Sequence, residues 1–469
     1  MSVTILDASG RVERRGVVTG VSVATADGSG FESVGAYDAG GGLVREDLPG
    51  GVVRRVSVDV TGELVAMSYS GPLTDPETGV VEADRPWLAW SGRSNAAGQV
   101  TDEWTPDGAG ESGAGSDVEY GYDRAGRLTR VADRSGDAGS SGAAVGCRTR
   151  SYGFDRNGNR ILQAADGPGT GGECQTGSSG AGVSRVFDAA DRPVTGGNGQ
   201  GSYAYDALGR QTLVPAADAP QPGQGGLRLG YYDTDEIASI GQGSGDTAST
   251  TTFSLDGSGR RLGQRRVDAS GTDTLVRHYT DASDNPTWSV ATAPDGQTTT
   301  TRYVETIAGD LSVTLTARGA GPAQASLQLA SPRGDIAASV AVADTAGGID
   351  AFTSFTEYGL PATDTGQATA GAGEATGSAG GVAGIGYGRL GAKQRATLDT
   401  GLTLMGARLY NPTTGAFTNL DPVDGGGDTT YGYPTDPINH TDTDGNKWHR
   451  KVGRSSWKKI ENRADCCVI

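Results

Sequence analysis

Apolar and polar positions alternate along most of this chain in short runs that glycine interrupts. The stretch Tyr120 to Val131, "YGYDRAGRLTRV", alternates, turns through Asp-x-x-Gly, and alternates again. "YGFDRNGNRILQ" (Tyr152 to Gln163) and "YAYDALGRQTLV" (Tyr203 to Val214) repeat it. "RVFDAADRPVT", "FSLDGSGRRLG" and "TILDASGRVER" are looser copies, while "SVDVTGELVAM" and "GAYDAGGGLVRE" keep only the Asp, glycine and apolar positions. A period of two marks a half-buried strand. Asp bonds its own backbone two residues on, and Gly supplies the positive φ that closes the turn. Each unit is therefore a hairpin that cannot bury its face alone, and stacked neighbours build one continuous sheet. The fold class is all-β. "TTTTRYVETIAGDLSVTLT" and "LQLASPRGDIAASVAV" read as further strands, followed by a Gly/Ala/Thr loop at 361–381.

Composition narrows this picture. Glycine, 78 residues, has no triplet period, which excludes collagen. Tyrosine outnumbers the other aromatics (16 against 7 Phe and 6 Trp), and its apolar body with a polar tip suits a sheet lining an enclosed space. A net charge of −17 argues against general affinity for nucleic acid or anionic membranes. No apolar run is long enough for a transmembrane helix. The start, "MSVTILDASGRVERRGVV", lacks the regions of a secretory signal, so the chain leaves by another route, stays inside, or continues a longer one. Cys147 and Cys174 flank glycine-rich loops and are a candidate disulfide, which would suit an oxidising compartment.

Other chemistry is sparse. His278, His440 and His449 are too scattered for a metal site or a Ser-His-Asp triad, and no metal or cofactor is expected. "GGGD" and "GPGTGG" lack the strand-to-helix context of a phosphate loop. Arg333 to Asp335 spells RGD, a match too short to argue from.

The Tyr-Asp units followed by Gly-Arg-Leu resemble the RHS/YD repeat family, over roughly residues 1–300. Tyr387 to Gly445 closely resembles the core associated with those repeats. Its elements are Gly401-Leu402, Gly406 to Pro412, Gly415, Phe417, Asp421-Pro422, Gly425 to Gly427, Tyr431, Tyr433, Asp436-Pro437, Asp442 and Gly445. The resemblance implies β-sheets spiralling into a shell or half-shell around a C-terminal passenger, closed by the core as a plug. It also implies an aspartyl protease acting on its own chain, with Asp421 and Asp442 as the pair and Arg408 orienting or stabilising a carboxylate. Two close carboxylates cannot both ionise, so one activates water while the protonated one polarises the carbonyl. By the family pattern the cut falls between Asn446 and Lys447. This chain departs from that pattern at Asp442-Thr443-Asp444-Gly445-Asn446, where Asp-Pro-x-Gly-Leu is usual, and at Thr429 and Ala416. Asp444, two residues on, is easily mistaken for the second acid. Against catalysis, Asp421, Asp436 and Asp442 also suit turn caps in a closed plug.

Composition breaks where the core ends. Four of the five lysines (Lys447, Lys451, Lys458, Lys459) lie in the last 23 residues, where seven basic residues face only Glu461 and Asp465. So short a tail cannot build a core. It reads as a toxin remnant, a small basic effector, or an anchor. Cys466-Cys467-Val468-Ile469 fits a prenylation pattern, with Cys466 as the lipid site and a basic companion signal before it.

The expected organisation is a degenerate repeat region (1–118), a repeat shell (119–300), further shell strands with the glycine-rich loop (301–386), the core (387–446) and the basic tail (447–469). The expected function is a shell that encloses its C-terminal segment and frees it by autoproteolysis, in a toxin-type or contact-dependent competition system. Such a protein is secreted or at the cell surface, and is cytoplasmic if the chain is a fragment. Its partners are its own C-terminal peptide and a secretion apparatus or further shell subunit, with no nucleic acid, and a membrane only through a lipidated tail. The alternative is a non-catalytic surface adhesion protein binding glycans or proteins on the repeat sheet. Exposed aromatic rows would favour it.

Overall fold

The structure, a computed structural model, describes residues 2–6, 12–17, 20–24 and 30–450 except 76, 108, 110–114, 136–145, 176–181, 343–346, 350–351 and 363–384. The basic tail beyond Arg450, with Cys466, and most of the glycine-rich loop lie outside those residues. Two 12-stranded sheets carry the fold. The first runs from Gly20–Ala24 to Val183–Ser184, and the second from Ala204–Tyr205 to Ile336–Ala341. In both, every strand pairs antiparallel with the next in sequence, as stacked hairpins demand. Among the described residues no α-helix occurs, and the helical turns are three-residue 3-10 pieces.

The repeat's residues explain its turn. Asp123 N–H donates to Arg127 O, and Gly126 N–H donates to Asp123 O, each at 3.0 Å. Asp123 Oδ1 accepts the N–H groups of Ala125 and Arg127. Gly126 takes φ +82°, which costs an L side chain about 1–2 kcal/mol. The register then slips by one residue at Tyr122, forming a glycine bulge that re-twists the ladder.

The arginine in the motif ties each hairpin to the next. Arg127 Nε donates to Asp123 Oδ2 (2.7 Å), Nη1 donates to Asp155 O in the following repeat (2.8 Å), and the guanidinium lies 5.2 Å from the Phe154 ring centre. Arg210 does the same with Asp206, Tyr232 O and the Tyr231 ring. Arg260 repeats it with Asp256, Asp281 O and Tyr279. The Asp-x-x-Gly-Arg pattern is thus a turn and a staple in one.

Residues 385–450 form a plug between the large sheets, built on a 5-stranded sheet from Ile385–Gly386 to Ala416–Phe417. Leu398, Leu402, Leu404 and Leu409 pack on Tyr203, Leu229 and Phe253 of the second sheet. Met405, Tyr410, Phe417 and Tyr433 pack on Tyr120, Leu128, Val131 and Tyr152 of the first. The repeat tyrosines Tyr120, Tyr152 and Tyr203 therefore bury their rings against the plug. A third cluster joins the sheets directly, Trp87 and Leu88 meeting Leu327, Leu329 and Val340. Buried ion pairs accompany it: Arg389 with Asp335 (3.2 Å) and Arg150 with Glu357 (2.8 Å). In the RGD tripeptide Asp335 is 2% exposed and paired with Arg389, and Arg333 is largely buried, so the tripeptide is not displayed. Cys147 and Cys174 are joined as a disulfide.

Candidate active site

A tight hairpin sets the first residue. Thr403–Met405 returns as Arg408–Asn411 through Gly406 and Ala407, with Met405 opposite Arg408. Gly406 has φ +52°, as a two-residue hairpin turn with glycine first requires. A second turn nests against it: Ala407 N–H donates to Asp444 O (2.9 Å), and a Cβ on Gly406 would collide with the Asp444 backbone. In that second turn Asp442 Oδ1 accepts Gly445 N–H (2.8 Å), and Gly445 O accepts Arg408 Nε (2.6 Å).

One nitrogen joins the two acids. Arg408 Nη2 donates to Asp421 Oδ2 at 3.0 Å and to Asp442 Oδ2 at 2.9 Å. All three side chains are out of water, Arg408 at 0%, Asp421 at 5% and Asp442 at 3% exposure. The guanidinium lies 3.7 Å from the Phe417 ring centre, a contact that favours a desolvated cation. Arg408 Nη1 has no hydrogen-bond partner. Asp421 is fixed by its own N–H to Thr430 O (2.8 Å) and by Val423 N–H to Oδ1 (2.9 Å).

Electrostatics separates a protonated acid from its surroundings. Burial pushes the Asp442 carboxyl up to about 6; Arg408 pulls it back, and the neighbouring Asp444 carboxylate pushes it further up. Asp442 thus holds its proton in mildly acidic conditions where an ordinary Asp has lost it. Burial also lowers the Arg408 proton affinity, which its two carboxylates oppose.

The chain itself passes beside this cluster. A Cβ on Gly426 would strike the Asn446 carbonyl oxygen and both Asp421 carboxylate oxygens (2.8 and 2.9 Å away), so the carbonyl sits beside Asp421 across a side-chain-free position. Trp448 N–H donates to Gly426 O (3.2 Å). Asp444 Oδ1 accepts Asn446 N–H (3.0 Å) and Lys447 N–H (3.3 Å). The Asn446–Lys447 peptide is therefore held from both sides.

The structure brings Arg408, Asp421, Asp442, Asn446 and Lys447 into one place. It separates the others. Asp436 caps a turn, accepting Asn439 N–H (3.2 Å) and its side-chain amide. His440 lies edge-on to Trp448 at 4.5 Å, and His278 stacks on Trp288. Among the described residues no group of His, Cys, Asp and Glu could hold a metal ion, and no helix is long and apolar enough to cross a membrane. Sequence reasoning named Gly426 only as an element of the core, and missed both its close approach to Asn446 and Asp421 and the contact of Asp444 with Lys447. The glycine triplet at 425–427 was the available signal for the first.

No family model and no curated protein matches the chain. Solved structures do. TcdB2-TccC3-Cdc42 aligns with TM-score 0.64 and 15% identity over 95% of this chain and 21% of that one. The Tc holotoxin pore of Photorhabdus luminescens aligns with TM-score 0.64 and 15% identity over 96% and 22%. TcdB2-TccC3 without its hypervariable C-terminal region aligns at 0.56 and 14% over 94% and 23%. The chain spans about a fifth of the length of these chains. At such identity the likeness is one of fold: the large antiparallel sheets of this chain are similar to those in these Tc toxin complexes.

Proposed function

We propose that this chain is an RHS-type shell segment of a toxin-type protein that cuts its own backbone once, between Asn446 and Lys447. The observation that carries the reading is the Asn446 carbonyl lying beside Asp421, which shares one guanidinium nitrogen with Asp442. Asp421 takes a proton from water as the water attacks the Asn446 carbonyl carbon. Asp442, which keeps its proton more readily than an ordinary carboxyl, polarises that carbonyl. Arg408 fixes both acids and offsets the charge that a buried carboxylate carries. The freed product is the basic segment from Lys447 onward, delivered in a toxin-type or contact-dependent competition system from outside the producing cell. One matched structure lacks a hypervariable C-terminal region, which supports a variable segment at this end. Among the described residues the exposed large apolar side chains are valines and leucines.

Expressing the wild type beside Asp421→Asn and Asp442→Asn tests the reading. Wild type splits and both variants stay whole. Splitting by Asp421→Asn at the wild-type rate contradicts it.

A further inference from the structure

Asp444 occupies a position that the family pattern leaves variable, and here it is an acid in contact with the bond to be broken. Its Oδ1 accepts the N–H of Lys447 at 3.3 Å, and Lys447 nitrogen is the leaving group of the cut between Asn446 and Lys447. The same oxygen accepts Asn446 N–H at 3.0 Å, and the Asn446 side-chain amide donates to Asp444 O at 3.1 Å. These bonds bend residues 444–447 into a turn that presents the peptide to Asp421. Asp442 hydrogen-bonds to the Asp444 side chain, and also contacts Arg408 and Gly445 N–H. Unlike Asp442, Asp444 is exposed to water. The contacts run from a buried acid to an exposed acid to the leaving nitrogen.

We propose that Asp444 is a third catalytic carboxyl of this site, handing a proton to the Lys447 nitrogen as the bond to Asn446 breaks. The inference rests on the self-cleavage reading above. The protons balance. Water adds to the Asn446 carbonyl carbon and gives one proton to Asp421, leaving a tetrahedral centre. That centre pyramidalises the Lys447 nitrogen, whose lone pair takes the Asp442 proton, passed on through the Asp444 carboxylate. The carbon–nitrogen bond breaks, its electron pair stays on nitrogen, and Asn446 ends as a carboxyl group with Lys447 as a free amine. A single cut needs no resetting of Asp421.

A turn-shaping role and a proton-carrying role separate by substitution. Asp444→Asn keeps the Oδ1 acceptor, so the turn survives, but it cannot carry a proton. Asp444→Ala loses both. Chains made in a cell-free translation reaction, quenched at intervals and weighed intact, give a cleavage rate for each. The expected result is that both variants slow by about 100-fold, the scale of a lost general acid, with the cut position unchanged. Asp444→Asn cutting at the wild-type rate, whatever Asp444→Ala does, overturns the proton role. A wild type that stays whole overturns the self-cleavage reading, and this inference with it.

Discussion

The molecule uses aspartate–arginine pairs in two places, and they behave in opposite ways. In the repeat turns, Asp123 and Arg127 are about a quarter exposed. Burial resists ionisation of Asp123, yet Arg127 and the turn's N–H groups win and hold its pKa below the ordinary value. Asp206 and Asp256 are lowered in the same manner. In the plug, one buried guanidinium serves two carboxylates, and burial wins, pushing Asp442 up to about 6. The residue types are the same. The difference is the ratio of carboxylates to cations and the access of water, and it turns a staple into an acid that keeps its proton.

The largest effect expected from breaking this contrast is at Arg408. Arg408→Met leaves two buried carboxylates without a cation and lowers stability by about 3–5 kcal/mol, measured by urea unfolding. In the uncut Asp421→Asn background, Asp442 gives a pH dependence. Its folded pKa lies above its ordinary value, so its contribution is fully present below about pH 4 and is lost as pH rises through about 6. The loss is about 2–3 kcal/mol, read as a fall in melting temperature across that window. Adding Asp442→Asn removes that part of the fall. Gly126→Ala forces an L side chain into φ +82° and costs about 1–2 kcal/mol by thermal melting, since nothing but Gln99 approaches the added methyl. Arg260→Met breaks a partly exposed staple and costs about 1 kcal/mol or less by the same melt. A cost at Arg260 equal to that at Arg408 would erase the contrast.

Much of this was legible in the chain. The Asp and Gly of each unit announce the turn because their reasons are local: an oxygen two bonds from the backbone and a missing Cβ. Strand alternation announced the sheets for the same reason. Arg408, Asp421 and Asp442 were legible only through their resemblance to a known core, since 34 residues separate Arg408 from Asp442 and nothing periodic links them. Contacts across larger gaps left no trace. Arg150 finds Glu357 207 residues away, and the carbonyl that each repeat arginine bonds depends on sheet register. Nothing in the residues between Ser184 and Ala204 marked the break between the two sheets. Asp444 was noticed, but only as a rival for Asp442; its hydrogen bond to Lys447 depends on the fold of the turn.

The most direct test of the central claim is the intact mass of the purified wild type beside Asp421→Asn. Two wild-type masses are expected, for residues 1–446 and 447–469, and one full-length mass for the variant. A single full-length mass for both would contradict it, leaving the Arg408 cluster as a buried structural clasp.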